Sequence, residues 1–138
     1  MENKNLEYIG KYISKMYRKK NAFITKELYD IGIGSGQYMF LLEIYNNEGI
    51  SQEELSEILD IDKGTTARAV KKLEQKELIY RRKCSIDKRI YKLYLTDKGK
   101  EYRITILNVL DKWENTMTSK LTEEEMKIIK LLLKKICI

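Results

Sequence analysis

Histidine and proline are absent from this 138-residue sequence, and cysteine occurs only as Cys84 and Cys137. Without histidine, every Ser-His or Cys-His nucleophile and every His-ligated metal centre is excluded. Two thiols cannot close a four-ligand zinc site or build a disulfide scaffold, so no metal and no cofactor are expected. Without proline, helices can run unbroken and no X-Pro bond isomerises slowly. No segment approaches the ~18 to 20 apolar residues that span a bilayer. The opening Met1-Glu2-Asn3-Lys4-Asn5 is polar and lacks the apolar core of a secretory signal. The expected location is therefore the cytoplasm, where both thiols stay reduced. The length suits one domain, large enough to bury a core without staples.

What the sequence does have is unevenly placed positive charge. Lys plus Arg number 27 against 21 Asp plus Glu, a net +6. Asp60 to Arg103 holds 14 basic and 7 acidic residues, whereas the remainder holds 13 and 14. Essentially the whole excess sits in one contiguous third of the chain. Clustered cationic charge on a domain points to a polyanion, either nucleic acid or an anionic membrane surface. The basic segment lacks the Trp/Phe/Leu face of an interfacial helix, which argues against a membrane.

Glycine is the only punctuation, clustered at Gly32-Ile33-Gly34-Ser35-Gly36 and recurring at Gly49, Gly64 and Gly99. Before the cluster, Leu6, Ile9, Ile13 and Met16 form a one-sided stripe that predicts an amphipathic helix from Asn3 to about Tyr29. That stripe needs a partner distant in sequence or on a second chain. Ser35 is the expected N-cap of a second helix bearing Tyr38, Leu41, Leu42 and Tyr45 on one face. Ser51 and Glu54 read as a capping box for a short helix with Leu55, Ile58 and Leu59 inward. Asp62 caps the next, Lys63 to about Lys76, with Thr66, Ala69, Val70 and Leu73 inward.

The pattern then changes to strands at 78–83 and 90–95, the second alternating at period two, with a polar loop from Cys84 to Arg89 between them. Thr96 caps a long helix carrying Tyr102, Ile106, Val109, Trp113 and Met117. Thr122 with Glu125 opens a last one bearing Met126, Ile129, Leu133 and Ile136. The fold class is thus mainly α with a minor β element: a winged helix-turn-helix.

In such a lobe the second helix enters the major groove, whose edges distinguish all four base pairs. The helical wheel turns Lys63, Thr65, Arg68 and Lys72 outward. Arg68 suits guanine O6 and N7, Lys63 and Thr65 suit phosphates near the helix start, and Gly64 lets backbone approach closely. Arg81, Arg82 and Lys83 line the wing, and Asp87-Lys88-Arg89 forms its tip. A guanidinium there suits the negative potential of a narrow minor groove, with Asp87 holding Arg89 extended.

The stretch from Ser51 to Gly99 resembles the MarR family of winged helix-turn-helix transcriptional regulators. The matching residues are Ser51-Gln52-Glu53-Glu54-Leu55, Asp62-Lys63-Gly64-Thr65-Thr66-Ala67-Arg68, Lys72-Leu73-Glu74, Leu78-Ile79, Asp87-Lys88-Arg89 and Leu95-Thr96-Asp97-Lys98-Gly99. The Asp-x-Arg wing followed by a strand and Leu-Thr-x-x-Gly is the specific part. The resemblance implies a homodimer through the segments 1–34 and 100–138, with a DNA-binding lobe at 35–99. It further implies a repressor on a pseudo-palindromic operator of double-stranded DNA. Contacts are expected from Ser51, Lys63, Gly64, Thr65, Ala67, Arg68, Lys72, Arg82, Lys88 and Arg89. Three departures stand out: Glu77 where the family often has glycine, Ala67 for Ser or Thr, and Thr66 for an aliphatic, which is expected to pack less well.

The family also implies a small aromatic effector, for which Tyr8, Tyr12, Tyr17, Tyr38 and Tyr45 are the candidate lining. Some relatives sense oxidants through a first-helix cysteine and zinc-sensing relatives rely on histidines, and this chain has neither. Cys84 and Cys137 read as incidental, although Lys83 beside Cys84 would favour its thiolate. The competing reading is a winged-helix module that binds RNA or protein through its basic face without operator specificity. An enzyme is not expected: Glu53 and Glu57 lie at i and i+4 with no nucleophile, base or phosphate loop beside them.

Overall fold

A computed structural model describes residues 5–138. The elements run α1 (Ile9–Glu27), a 3₁₀ turn (Tyr29–Ile31), α2 (Tyr38–Asn46), α3 (Gln52–Leu59), α4 (Lys63–Gln75), β1 (Ile79–Lys83), β2 (Tyr91–Leu95), α5 (Asp97–Thr118) and α6 (Glu123–Cys137). This is the mainly helical winged helix-turn-helix that periodicity predicts. The expected helix start at Asn3 falls outside the described residues. Among those described, α1 begins at Ile9, after extended backbone at Tyr8.

The core lies where the short helices meet the wing. Ile24 and Leu28 enter it from the end of α1, Phe40, Leu41 and Ile44 from α2, Leu55 from α3, and Ile106 from α5. From α4 the core takes Thr66, Ala69, Val70 and Leu73, the face the helical wheel assigned inward. Thr66 is fully buried, and its hydroxyl donates to the Asp62 carbonyl at 2.9 Å. A polar group satisfied in this way is cheap to bury.

Three local expectations change. Ser35 does not cap α2, which starts at Tyr38 after Gln37 with no side-chain cap. The Gly34 carbonyl instead accepts from both Gln37 and Tyr38 N–H, so a backbone turn does the serine's work. The Ser51–Glu54 box is half formed: the serine oxygen accepts from Glu54 N–H at 3.1 Å, with no reciprocal bond. Ser51 is drawn into an antiparallel bridge with Lys92, and Glu54 stays in solvent. Ile58 is 56% exposed, and Ser56 is buried in its stead. Leu55 and Leu59 face in, and the Ser56 hydroxyl is satisfied by donating to the Glu53 carbonyl at 2.7 Å.

β1 and β2 pair antiparallel, with Ile79 opposite Leu95 and Lys83 opposite Tyr91. Gly49 N–H donates to the Leu93 carbonyl at 2.8 Å, and Leu93 N–H donates to the Ile50 carbonyl at 2.9 Å, which ties the chain before α3 to the wing. At the end of α4, Leu78 N–H reaches the Leu73 carbonyl at 3.1 Å, and Glu77 holds a left-handed φ of 60°. The turn is the one that favours glycine, so the Glu77 departure carries a backbone cost.

α5 begins at a close approach. Thr96 Oγ1 accepts from Gly99 N–H at 3.0 Å and donates to the Glu77 carbonyl at 2.6 Å. Tyr45 Oη donates to the Gly99 carbonyl at 2.5 Å, joining α2 to α5. Beyond this anchor α5 packs on α1, with Phe23 against Trp113 at 5.4 Å between ring centres. α6 opens with the full Thr122–Glu125 capping box and buries no residue in the chain.

Candidate nucleic-acid interface

The N-terminus of α4 is organised by Asp62. Its Oδ1 accepts from Thr65 N–H at 2.7 Å and its Oδ2 from the Thr65 hydroxyl at 2.8 Å. These two bonds hold the Asp62 carboxyl below its ordinary pKa. The same hydroxyl accepts from Arg68 Nη2 at 3.1 Å. Arg68 therefore lies back along the helix, over Gly64, where an added Cβ would stand 3.4 Å from its Nη1. Thr65 is half-buried and spends its hydroxyl on this relay, whereas Lys63, Gly64, Ala67, Arg68 and Lys72 are exposed on the outer face.

The wing supplies the second half. Asp87 Oδ1 accepts from Arg89 N–H at 3.0 Å and from its Nε at 3.2 Å, and Oδ2 accepts from Nη2 at 3.2 Å. The fork holds the Asp87 carboxyl below its usual range and aims a guanidinium whose side chain is 90% exposed. Lys88 is exposed beside it. Ile90 N–H donates to the Asp87 carbonyl, and Cys84 N–H to the Ile90 carbonyl, which closes the tip. Backbone N–H groups of Asp87 and Ile86, then nearby Lys92, pull the Cys84 thiol below its ordinary pKa.

Helix and wing share one side of the molecule. A cleft of about 180 Å³ is lined by Ser51, Gln52, Glu53, Ser56, Lys63, Arg89, Ile90 and Tyr91. It brings Ser51, Lys63 and Arg89 together from α3, α4 and the wing. Ser51 lies at its floor, 5% exposed and already capping α3. Lys63 reaches Glu53 at 3.4 Å with both side chains well exposed, a pair that solvent screens and that costs little to break.

The alternation of β1 separates two arginines that look equivalent in sequence. Arg81 faces α4 and forks onto Glu74 at 2.9 and 3.2 Å, so its charge is largely neutralised. Arg82, on the opposite face, lies over Tyr80 and Tyr94 at 5.3 and 5.6 Å, and those rings stack 5.5 Å apart. This aromatic seat was missed in the sequence, although Tyr80 and Arg82 fall at period two and Tyr80 is cross-strand from Tyr94.

The five tyrosines are not gathered into one cavity. Tyr8 and Tyr12 stand exposed, and the Tyr12 hydroxyl donates to Glu7, which with slight burial raises its pKa. Tyr17 and Tyr38 share Lys20, whose ammonium lies 5.2 and 5.9 Å from their rings. Tyr38 is a core residue at 4% exposure, and Tyr45 is committed to Gly99. None of the five lines the hollow beside Asn21, Ala22, Thr25 and Tyr29.

Among the described residues no helix is long and apolar enough to cross a membrane. The MarR family model matches residues 33–91, the stretch that contains α2, α3, α4, β1 and the wing tip. The uncharacterized HTH-type transcriptional regulator YybA of Bacillus subtilis is 34% identical over 90% of this chain and 83% of its own length. The HTH-type transcriptional regulator BilQ of Clostridioides difficile is 30% identical over 92% and 87%. A MarR transcriptional regulator of Methanosarcina mazei superposes with a TM-score of 0.90 at 38% identity, covering 95% of this chain and 94% of the other. A cysteine-to-serine variant of E. coli MarR, complexed with operator DNA, superposes at 0.84 with 26% identity over 93% and 92%. Fold and sequence converge: the chain belongs to the MarR family of winged helix-turn-helix, DNA-binding transcriptional regulators.

Proposed function

We propose that the protein is a homodimeric repressor in the cytoplasm that binds a pseudo-palindromic operator in double-stranded DNA. The observation that carries this reading is the cleft that sets Lys63 at the start of α4 and Arg89 at the wing tip on one side of the lobe. α4 presents Arg68, Ala67 and Lys72 to base edges and backbone in the major groove, while Arg89 enters the neighbouring minor groove. Lys63, Gly64, Arg82 and Lys88 approach phosphates, the contacts that fix register without reading sequence, while Ser51 and Thr65 brace the helix starts beneath them.

Dimerisation through 1–34 and 100–138 is supported by apolar surface that the single chain leaves bare. Leu6, Ile9 and Ile13 at the start of the chain and Ile129, Leu132, Leu133 and Ile136 on α6 are all exposed. Exposed apolar residues in such number call for a partner, and a two-fold pair of lobes matches a two-fold operator. For a small aromatic effector, the support is that Lys20 brings its ammonium over the rings of both Tyr17 and Tyr38.

Selection of bound sites from random duplexes tests the reading. The expected result is a palindrome with half-sites about one turn, ~10 base pairs, apart. Recovery of unrelated sequences with equal affinity would return the chain to a general electrostatic binder.

A further inference from the structure

Lys76 closes α4 and joins it to three other segments. Its ammonium donates to the Gly32 carbonyl and to Gln37 Oε1, the latter at 2.7 Å. Its own carbonyl accepts from Lys98 Nζ at 3.2 Å. Gly32 ends the 3₁₀ turn that continues α1, Gln37 precedes α2, and Lys98 lies in the first turn of α5. One residue at the end of the reading helix is thus tied to the ends of both long helices that flank the lobe.

The tie toward α1 is stiff. Gly32 N–H donates to the Tyr29 carbonyl at 3.0 Å, Ile31 N–H to Leu28 at 3.2 Å, and Leu28 N–H to Ile24 at 2.9 Å. Ile24 and Leu28 are fully buried, so this stretch cannot shift without opening the core. Lys112 reaches Glu27 at 3.2 Å, which couples α1 back to α5.

The chemistry of the tie argues against a purely structural role. None of the four ion pairs among the described residues includes Lys76. Its ammonium is half-buried against neutral dipoles, and burial, followed by repulsion from Lys72, lowers its pKa. Loss of its two hydrogen bonds at a site that water still reaches is a modest cost to folding. What lysine adds is direction: two acceptors from one connection define where the end of α4 sits.

We propose that Lys76 is a positioning residue that fixes the angle of the recognition helix to the dimerisation helices, and so the half-site spacing the dimer accepts. The inference rests on the dimeric reading above. One extra base pair rotates a half-site by about 35° and moves it ~3.4 Å. A rigidly held α4 pays for that mismatch in lost contacts, whereas a loosened one follows the groove.

The test uses the duplex selected by the wild-type protein, together with versions lengthened or shortened by one central base pair. Wild type should bind the altered duplexes at least about tenfold more weakly, a difference of ~1.4 kcal/mol. Lys76→Met should narrow that gap to within about threefold, with the unfolding temperature little changed. Lys76→Arg, which keeps donors for both acceptors, should restore discrimination. Gln37→Leu removes one acceptor and should relax spacing in part; it decides the matter if Lys76→Met loses its fold. Retained wild-type discrimination in the folded variants overturns the inference. So does an equal loss on every duplex with a lowered unfolding temperature, which would make the role structural. Wild-type protein that accepts all spacings alike removes the dimeric reading, and this inference with it.

Discussion

Replacing Gly99 by alanine is the sharpest test of how α5 is seated on the lobe. A Cβ added there would stand 2.1 Å from the Leu78 carbonyl oxygen and 3.1 Å from its carbon. Ordinary contact is about 3.5 Å, so the first turn of α5 must retreat from the end of α4 by more than about 1 Å. Backbone cannot rotate aside as a flexible side chain can. The retreat strains three bonds that meet at this point: Thr96 N–H to the Leu78 carbonyl at 3.1 Å, Thr96 Oγ1 to Glu77, and Tyr45 Oη to Gly99. Overpacking costs roughly 1–3 kcal/mol, and each weakened hydrogen bond about 1 kcal/mol. Against this stands the better helix propensity of alanine, about 1 kcal/mol. The balance is a loss of roughly 3–5 kcal/mol, or on the order of 10 °C in unfolding temperature for a chain of this size.

Thermal unfolding by circular dichroism at fixed protein concentration measures this loss. Gly10→Ala is the control: it lies inside α1 with no atom within 4 Å of an added Cβ, and it should be neutral or slightly stabilising. Gly99→Ala and Tyr45→Phe share a bond, so their combined cost should fall short of the sum. Unchanged or raised stability in Gly99→Ala would refute the geometry of this junction.

Arg68→Ala should cost ~1 to 3 kcal/mol on the selected duplex and relax preference at one base position; equal loss on random DNA would reassign Arg68 to phosphate. Arg89→Ala should weaken binding chiefly where the flanking minor groove is narrow, as titration of duplexes with and without A-tracts would reveal. Glu77→Gly should stabilise the fold by about 1 kcal/mol, since it relieves a left-handed residue; a drop in the denaturant midpoint would argue against that backbone turn. Burial raises the Tyr45 phenol to about 12, only partly opposed by Arg103, against about 10 unfolded. The native state therefore favours the neutral phenol, and its contribution is complete below about pH 10 and fades as pH climbs through about 12. Tyr45→Phe should flatten this alkaline loss, and midpoints that fall equally in both proteins would count against it.

Element type and order were legible from the chain because local signals agreed with the fold. Asp62, Thr96 and Thr122 cap the helices they precede, the α4 stripe Thr66, Ala69, Val70 and Leu73 faces the core, and period-two alternation marks β2. The outward placement of Lys63, Arg68, Lys72 and Arg89 was equally plain, since side chains on a regular helix or at a hairpin tip follow from spacing and need no distant partner. Ser35, Ile58 and the Ser51–Glu54 box went otherwise because each depends on what packs nearby. A Gly34 carbonyl replaced the first, Ser56 is buried where the second was expected, and the bridge to Lys92 engaged Ser51.

Pairing across long sequence separations belongs to tertiary structure alone. Arg81 and Arg82 are neighbours of the same chemistry, yet the pleat sends one to Glu74 and the other onto two tyrosines. Lys76 reads as one more solvated lysine until the loop after α1 brings Gly32 and Gln37 to its ammonium from about forty residues away. Spacing along a chain encodes periodic faces and caps, whereas the partner a long side chain meets is set by how elements close on one another.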